Sequence, residues 1–182
     1  MMEYLNIQSC LDSMQVLVDT RKQASKRAHD RYSLFGCPFR RQTMAYGDYT
    51  YNFTFNGKEL YPEGVTIRAD CIIERKSGLE ELSQNLTHDR ERFFRELDRA
   101  TAAGSQIYLL VENGNLQKLY AGHYRTKFNK SAYFASFMTL LAKYHVQPIF
   151  VPAEMSGRII YEILYRELKN RLEKGDYDGF CK

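Results

Sequence analysis

The sequence predicts an α/β protein, with a central mixed β-sheet flanked by helices. Three observations carry this. Short apolar runs rich in β-branched residues recur along the chain, at Met14–Asp19, Cys71–Glu74, Ile107–Glu112 and Val146–Val151. From Leu79 onward these runs alternate with longer segments of helical periodicity. A strand followed by a helix and another strand favours parallel pairing, whereas an Asn56-Gly57 pair between two strand-like segments favours an antiparallel hairpin. The two together make the sheet mixed.

Each element has its own reason. Met14-Gln-Val-Leu-Val-Asp19 is a buried strand ending on an acid, and what precedes it, residues 1–13, is set apart as an N-terminal extension. Arg21 to Tyr32 is polar and lacks proline, which allows a surface helix. Thr43 to Phe55 is rich in Tyr, Phe and Thr and predicts a strand, returning from about Lys58 to Ile67. Cys71–Glu74 is a short buried strand. Leu79, Leu82, Leu86, Phe93, Phe94 and Leu97 recur at helical spacing and predict one long helix to about Ala102, stopped near Gly104. Ile107–Glu112 is a strand, and a loop runs from Asn113 to Asn129. A helix over Ser131–Tyr144 is capped by Asn129 or Ser131. Val146–Val151 is the last strand and Ser156–Lys174 the last helix, with Ile159, Ile160, Ile163, Leu164, Leu168 and Leu172 as its apolar face. Residues 14–174 thus form the domain and 175–182 a tail.

Composition narrows the class. The chain has 182 residues, 44% hydrophobic and 26% charged, which is enough for one substantial core. No apolar run approaches a membrane span, and the N-terminus has no signal-peptide pattern, so a cytoplasmic location is expected. Cys10, Cys37, Cys71 and Cys181 include no C-x-x-C pair, which argues against zinc or a disulfide framework. The net charge of +4 is unevenly spread. Arg21–Arg41 holds seven Lys/Arg and one acid, and Leu116–Lys130 holds four basic residues and no acid. On charge alone this is a solvated face; a catalytic motif is what would turn it into a face for DNA.

Such a motif is present. Asp19, Asp48 and Glu74 lie at or near strand ends, and Lys76 stands two residues after Glu74, on the same face of a continuing strand. Carboxylates are hard ligands for Mg²⁺ or Mn²⁺. Such an ion neutralises phosphate charge and acidifies a bound water, and a neighbouring lysine can orient or deprotonate that water or stabilise developing charge. The chain has no G-x-S-x-G elbow, H-E-x-x-H or P-loop, and no motif for a nucleotide cofactor. The four histidines, His29, His88, His123 and His145, have no ligand spacing. Tyr49, Tyr51, Tyr120 and Tyr124 are the tyrosines best placed to stack on unpaired bases, although core packing is the commoner use of tyrosine in such elements. Asn85-Leu86-Thr87 fits a glycosylation sequon but falls inside a helix.

Gly47-Asp48-Tyr49, then Ile73-Glu74-Arg75-Lys76, then Glu80, resembles the G-D-X(n)-E-R-K-X3-D signature of the XPF-type (excision-repair cross-complementing) nuclease domain of the PD-(D/E)XK superfamily. Val18-Asp19-Thr20-Arg21 is similar to that family's opening V-D-x-R-E, Asp89-Arg90 to its G-R, and Leu109–Glu112 to its L-L-I-E strand. The resemblance implies a restriction-endonuclease-like core and a Mg²⁺- or Mn²⁺-dependent endonuclease of DNA, selective for branched, flap or junction substrates, in repair, recombination or phage DNA metabolism. It implies Asp48 and Glu74 as metal ligands with the Arg75 carbonyl, Asp19 as a further acid at the metal, Lys76 as the catalytic lysine, and Arg21, Arg75 and Arg90 facing DNA or supporting the site. Lys22 departs from the family's glutamate. Glu80 stands where the family has aspartate, and Glu81 competes with it because it keeps the usual spacing to Arg90. The tandem helix-hairpin-helix module that follows the domain in eukaryotic and archaeal relatives has no counterpart here, so the chain is more similar to stand-alone bacterial or phage versions. A homodimer through the nuclease face is a second expected partner after DNA, with the last helix as its place, although core packing explains that helix equally well. The alternative to an enzyme is a nuclease fold that binds DNA or a scaffold without cutting; degenerate members usually lose the acid or the lysine, both of which are kept here.

Overall fold

The computed structural model describes residues 4–181. The element order is α1 (Tyr4–Asp12), β1 (Gln15–Asp19), α2 (Lys26–Tyr32), β2 (Phe39–Gln42), β3 (Tyr49–Asn52), β4 (Thr54–Phe55), β5 (Lys58–Glu59), β6 (Cys71–Lys76), α3 (Leu79–Leu86), α4 (Arg90–Ala102), β7 (Gln106–Glu112), α5 (Leu116–Ala121), α6 (Lys130–Tyr144), β8 (Gln147–Val151), a short 3₁₀ turn and α7 (Ser156–Lys174). The expected class, α/β with a mixed sheet flanked by helices, is observed. The chain divides into two compact units: Met1–Met44 with Tyr49–Ile67 and Gly157–Lys182, and Ala45–Asp48 with Arg68–Ser156.

In the first unit the strand order is β2-β1-β3. β1 pairs parallel with β2 (Val16 opposite Phe39) and antiparallel with β3 (Val16 opposite Tyr51). Val16, Leu17 and Val18 are fully buried, which is why this run carries no alternation. α7 contributes Ile160, Leu164, Leu168 and Leu172, all without exposed surface. At four-residue spacing they form one stripe, and each contributes roughly 1.5–3 kcal/mol relative to exposure. The stripe is therefore core. Gly157 lets α7 approach α2, because a Cβ there would sit 2.1 Å from the Arg31 carbonyl oxygen. Tyr177, beyond α7, is buried, and its hydroxyl meets that of Tyr51 at 2.6 Å.

In the second unit β6, β7 and β8 pair in parallel, Glu74 opposite Leu109 and Leu109 opposite Pro148. α3, α4 and α6 supply Leu82, Leu86, Leu97, Phe137 and Leu140 to its core.

Several elements differ from the sequence expectation. Tyr4–Asp12 of the N-terminal extension is a helix, Ile7, Cys10 and Leu11 turning inward; residues 1–3 and 182 of the terminal segments lie outside the described residues. The expected long helix is two, α3 and α4, separated at Thr87–Asp89. The return strand shrinks to Lys58–Glu59, after a turn with positive φ at Asn56 (49°) and Gly57 (78°), plus one parallel bridge from Met44 to Ile67. β2 was not expected, and α5 falls within the expected loop.

Candidate active site

β6 ends on the residues that matter. Glu74 and Lys76, two apart, share a face, and Lys76 Nζ donates to Glu74 Oε1 at 2.6 Å. Both are buried, at 7% and 3% exposure. Buried charges persist only when paired and hydrogen-bonded. The Lys76 ammonium also lies over the Phe93 ring of α4, 4.7 Å from its centroid.

Arg75 points the other way, and its guanidinium Nη1 meets Glu112 Oε2 at 2.8 Å at the end of β7. Its backbone amide donates to Asp48 Oδ2 at 2.9 Å, and Asp48's own amide donates to the Ile73 carbonyl at 2.9 Å. Asp48, 3% exposed, is thereby strapped to β6 within two residues of Glu74. Gly47 makes this approach possible. It has φ of 77°, and a Cβ there would lie 2.8 Å from Ile72 Cβ. Behind it, Ser105 Oγ donates to the Ala69 carbonyl at 2.7 Å and lies 3.2 Å from the Tyr46 hydroxyl.

The two competing acids of α3 diverge, as neighbours on a helix must. Glu81 Oε2 accepts from Ser77's amide and hydroxyl, both at 2.7 Å, closing the first turn of α3. Its burial raises its pKa, but the Ser77 bonds and the charges of Lys76 and Arg75 outweigh that and hold the carboxyl below its ordinary value. Glu80 Oε1 instead accepts from the Arg125 amide at 3.0 Å. Glu81 lies within electrostatic reach of Lys76 and Arg75, and Glu80 ties the loop before α6.

Asp19 and Arg21 belong to the first unit. Asp19, 1% exposed at the end of β1, accepts from the Met44 amide at 3.2 Å and is ion-paired to Arg21 Nε. Arg21 is about half exposed. Arg90 opens α4, exposed, with its guanidinium 4.5 Å from the Phe94 centroid. Of the four tyrosines named for stacking, Tyr49 and Tyr51 are core residues at 1% exposure. Tyr120 is 69% exposed, and the Tyr124 hydroxyl donates to the Phe128 carbonyl. Asn85 of the sequon is buried in α3.

Among the described residues, no three His, Cys, Asp or Glu side chains form a ready-made metal cluster. The groups whose chemistry fits a hard divalent cation are the Asp48 and Glu74 carboxylates, two buried oxygen donors, the first of which accepts from the Arg75 amide next to Glu74. Sequence reasoning missed the Arg75–Glu112 pair, the Phe93 ring beneath Lys76 and the Glu80–Arg125 tie. Only Glu112 left a signal, as an acid ending a buried apolar strand.

A family model for the ERCC4 domain matches residues 18–163. Among solved structures, the chain is similar to XPF from Aeropyrum pernix, with a TM-score of 0.59 and 18% identity, over 90% of this chain and 69% of that one. It is likewise similar to XPF from Aeropyrum pernix in complex with DNA, with a TM-score of 0.57 and 19% identity, over 86% of this chain and 65% of that one. A search of the curated proteins returned no significant match. Among the described residues no helix is long and apolar enough to cross a membrane. The Gly47–Asp48 strap, the β6 triplet, the fold and the match over residues 18–163 converge: the chain belongs to the ERCC4-domain family of XPF-type DNA nucleases.

Proposed function

We propose that this chain is a divalent-metal-dependent endonuclease that hydrolyses phosphodiester bonds in branched, flap or junction DNA. The observation that carries the reading is the Asp48, Glu74 and Lys76 group at one strand end, with Lys76 Nζ 2.6 Å from Glu74 and the Asp48 carboxylate on the Arg75 amide. Asp48 and Glu74 would hold Mg²⁺ or Mn²⁺ with the Arg75 carbonyl, and Asp19 would serve as a further acid at the metal. When bound, such an ion supplies charge neutralisation at the phosphate and a more acidic water.

The chain's own residues do the rest. Lys76 donates to Glu74 in the protein alone; with substrate in place its ammonium orients the attacking water and stabilises charge on the phosphate. Phe93 keeps the lysine stem from swinging away. Arg75 braces the strand through Glu112, and Arg21 and Arg90, both exposed enough to meet solvent, contact the DNA backbone. Glu81 sets the field around Lys76, and Glu80 fixes the neighbouring loop.

The test is purified protein with labelled flap, fork, splayed-arm and duplex DNA, in Mg²⁺, Mn²⁺ or EDTA. Metal-dependent cutting of branched DNA is expected, with Lys76→Ala and Asp48→Asn each slower by roughly 10²-fold or more. Cutting that survives Lys76→Ala unchanged would overturn the assignment. Binding without cutting would assign the non-catalytic DNA-binding module instead. Affinity should fall steeply with salt, since phosphate contacts release counterions. Light scattering on the same preparation checks the homodimer.

A further inference from the structure

Next to the β6 triplet, the loop before α6 is built as a rigid frame. Glu80 Oε1 holds the Arg125 amide at 3.0 Å, Ser83 Oγ donates to Thr126 Oγ1 at 3.1 Å, and the Tyr124 hydroxyl donates to the Phe128 carbonyl at 3.2 Å. Phe128 stacks on Tyr133, centroids 5.1 Å apart and planes 15° apart. Tyr133 has no exposed surface, and its hydroxyl donates to the Leu79 carbonyl of α3 at 2.6 Å. Asn129 then caps α6.

Two cavities open on either side of Glu80. One, about 600 Å³, lies between α3 and the loop, and is walled by Phe128 and lined by Ser83, Gln84, Thr87, His88 and Asn129. Its formal charges, Glu80 and Lys127, cancel. An aromatic wall ringed by amide and hydroxyl groups, in a volume typical of small-molecule sites, suits a planar heterocycle with donors and acceptors on its edge. The other cavity, about 650 Å³, begins at Ser77, directly after Lys76, and carries the cations Lys118 and Arg125, with the His123 imidazole beside them, against the single acid Glu80. That charge suits phosphate. The segment Leu116–Lys130 as a whole carries four basic residues and no acid.

We propose that this pair of cavities is a single-strand subsite: Lys118, His123 and Arg125 take the backbone phosphates of one DNA strand, and an unpaired nucleobase of that strand enters the cavity walled by Phe128. The inference rests on the DNA-nuclease reading and deepens it, because a base within a duplex is stacked and paired and cannot enter. A cavity with no net formal charge does not favour phosphate, whereas the basic one favours a polyanion whose charge repeats along the strand. Selectivity for junctions then arises in α3 and its facing loop.

The test uses the whole chain in EDTA, so that nothing is cut, and splayed-arm DNA in which each unpaired position near the junction is in turn intact, abasic or 2-aminopurine. Fluorescence anisotropy should show one position where the intact base binds roughly 5- to 100-fold tighter than the abasic one, and 2-aminopurine there should change its emission on binding. Gln84→Trp, which plugs the cavity from the exposed side of α3, should abolish that difference, and Phe128→Ala should reduce it. Lys118→Ala should weaken intact and abasic arms alike. A circular-dichroism melt establishes that Gln84→Trp is folded. Equal binding of intact and abasic arms at every position, or discrimination that survives Gln84→Trp, overturns the proposal. Adding Mg²⁺ or Mn²⁺ to the same mixtures separates the two readings. Cutting without base discrimination overturns the subsite and leaves the nuclease. Base discrimination without cutting supports the subsite and overturns the hydrolytic reading. DNA that is not bound at all overturns both.

Discussion

Arg75 and Glu112 face each other at 2.8 Å with side chains 16% and 5% exposed, so each neutralises a charge that water barely reaches. Breaking such a pair from one side leaves the other charge stranded and costs about 3–5 kcal/mol when burial is complete. The two truncations should differ. Glu112→Ala takes the partner at 2.8 Å from the guanidinium, which is the more exposed and the more weakly hydrated group, and should cost about 2–3 kcal/mol. Arg75→Ala takes the partner at 2.8 Å from a carboxylate with almost no access to water and should cost about 3–5 kcal/mol. At about 2–4 °C per kcal/mol for a chain of this size, melting temperatures should fall by about 4–12 °C and 6–20 °C respectively. The double variant should lose less than the sum, by about 1–3 kcal/mol. Urea unfolding followed by circular dichroism, with all four proteins on one denaturant scale, measures each term. Strictly additive losses, or a larger loss for Glu112→Ala, would refute the view that this pair clamps β6 to β7.

Three further outcomes are expected. Gly47→Ala combines a left-handed backbone, worth about 1–2 kcal/mol, with a Cβ 2.8 Å from Ile72, whereas Gly57→Ala meets nothing within 4 Å; thermal melts should show clearly the larger loss for Gly47→Ala. Glu81 has its folded-state pKa below the ordinary 4.5, so its stabilising contribution is complete above that pH and disappears as pH falls through the lower folded value; the gap in urea midpoint between the parent chain and Glu81→Gln should be constant near neutrality and close in acid. Burial and the neighbouring Cys181 push the Cys10 thiol up to about 12, and burial pushes Cys37 up to about 11, so at pH 8 iodoacetamide should label neither in the folded protein and both in urea, as mass spectrometry of peptides would read.

The parallel half of the sheet was legible in the sequence because β6 and β7 are buried, β-rich runs set between helices, β8 repeats the apolar run although only Val151 of it is buried, and the triplet on β6 stood out as charge inside such a run. The acids proposed for the site stand near strand ends, Asp19 closing β1, Asp48 just before β3 and Glu74 two residues before the end of β6. What stayed hidden has physical reasons. β2 is Phe-Arg-Arg-Gln, with only Gln42 buried, so it forms by edge pairing with β1 and carries no pattern of its own. The break between α3 and α4 is invisible to periodicity, because Leu86 and Phe93 are two turns apart whether or not the helix pauses. α5 did carry its punctuation, an Asn115 cap and a Gly122 stop with φ of 80°, but its single buried side chain, Leu119, gave no stripe. Glu80 and Glu81 could not be told apart by spacing, since what separates them is direction around the helix. The tyrosines of β3 were core because both faces of that strand are covered, which a sequence rich in Tyr and Thr does not announce.

The Glu80–Arg125 bond carries a consequence for how this lineage can vary. From the same backbone position an aspartate would fall one carbon–carbon bond short, about 1.5 Å, of an amide that Glu80 now meets at 3.0 Å. Residue 80 and the stretch from His123 to Asn129 are therefore tied as a pair of inherited lengths. Relatives with aspartate at this position should have a differently shaped or shorter segment there, and exchanging one half without the other should remove this tie while those at Ser83–Thr126 and Tyr133–Leu79 remain. Aligned relatives would record this as joint substitution between two places about forty-five residues apart in sequence, a separation that the bond itself spans.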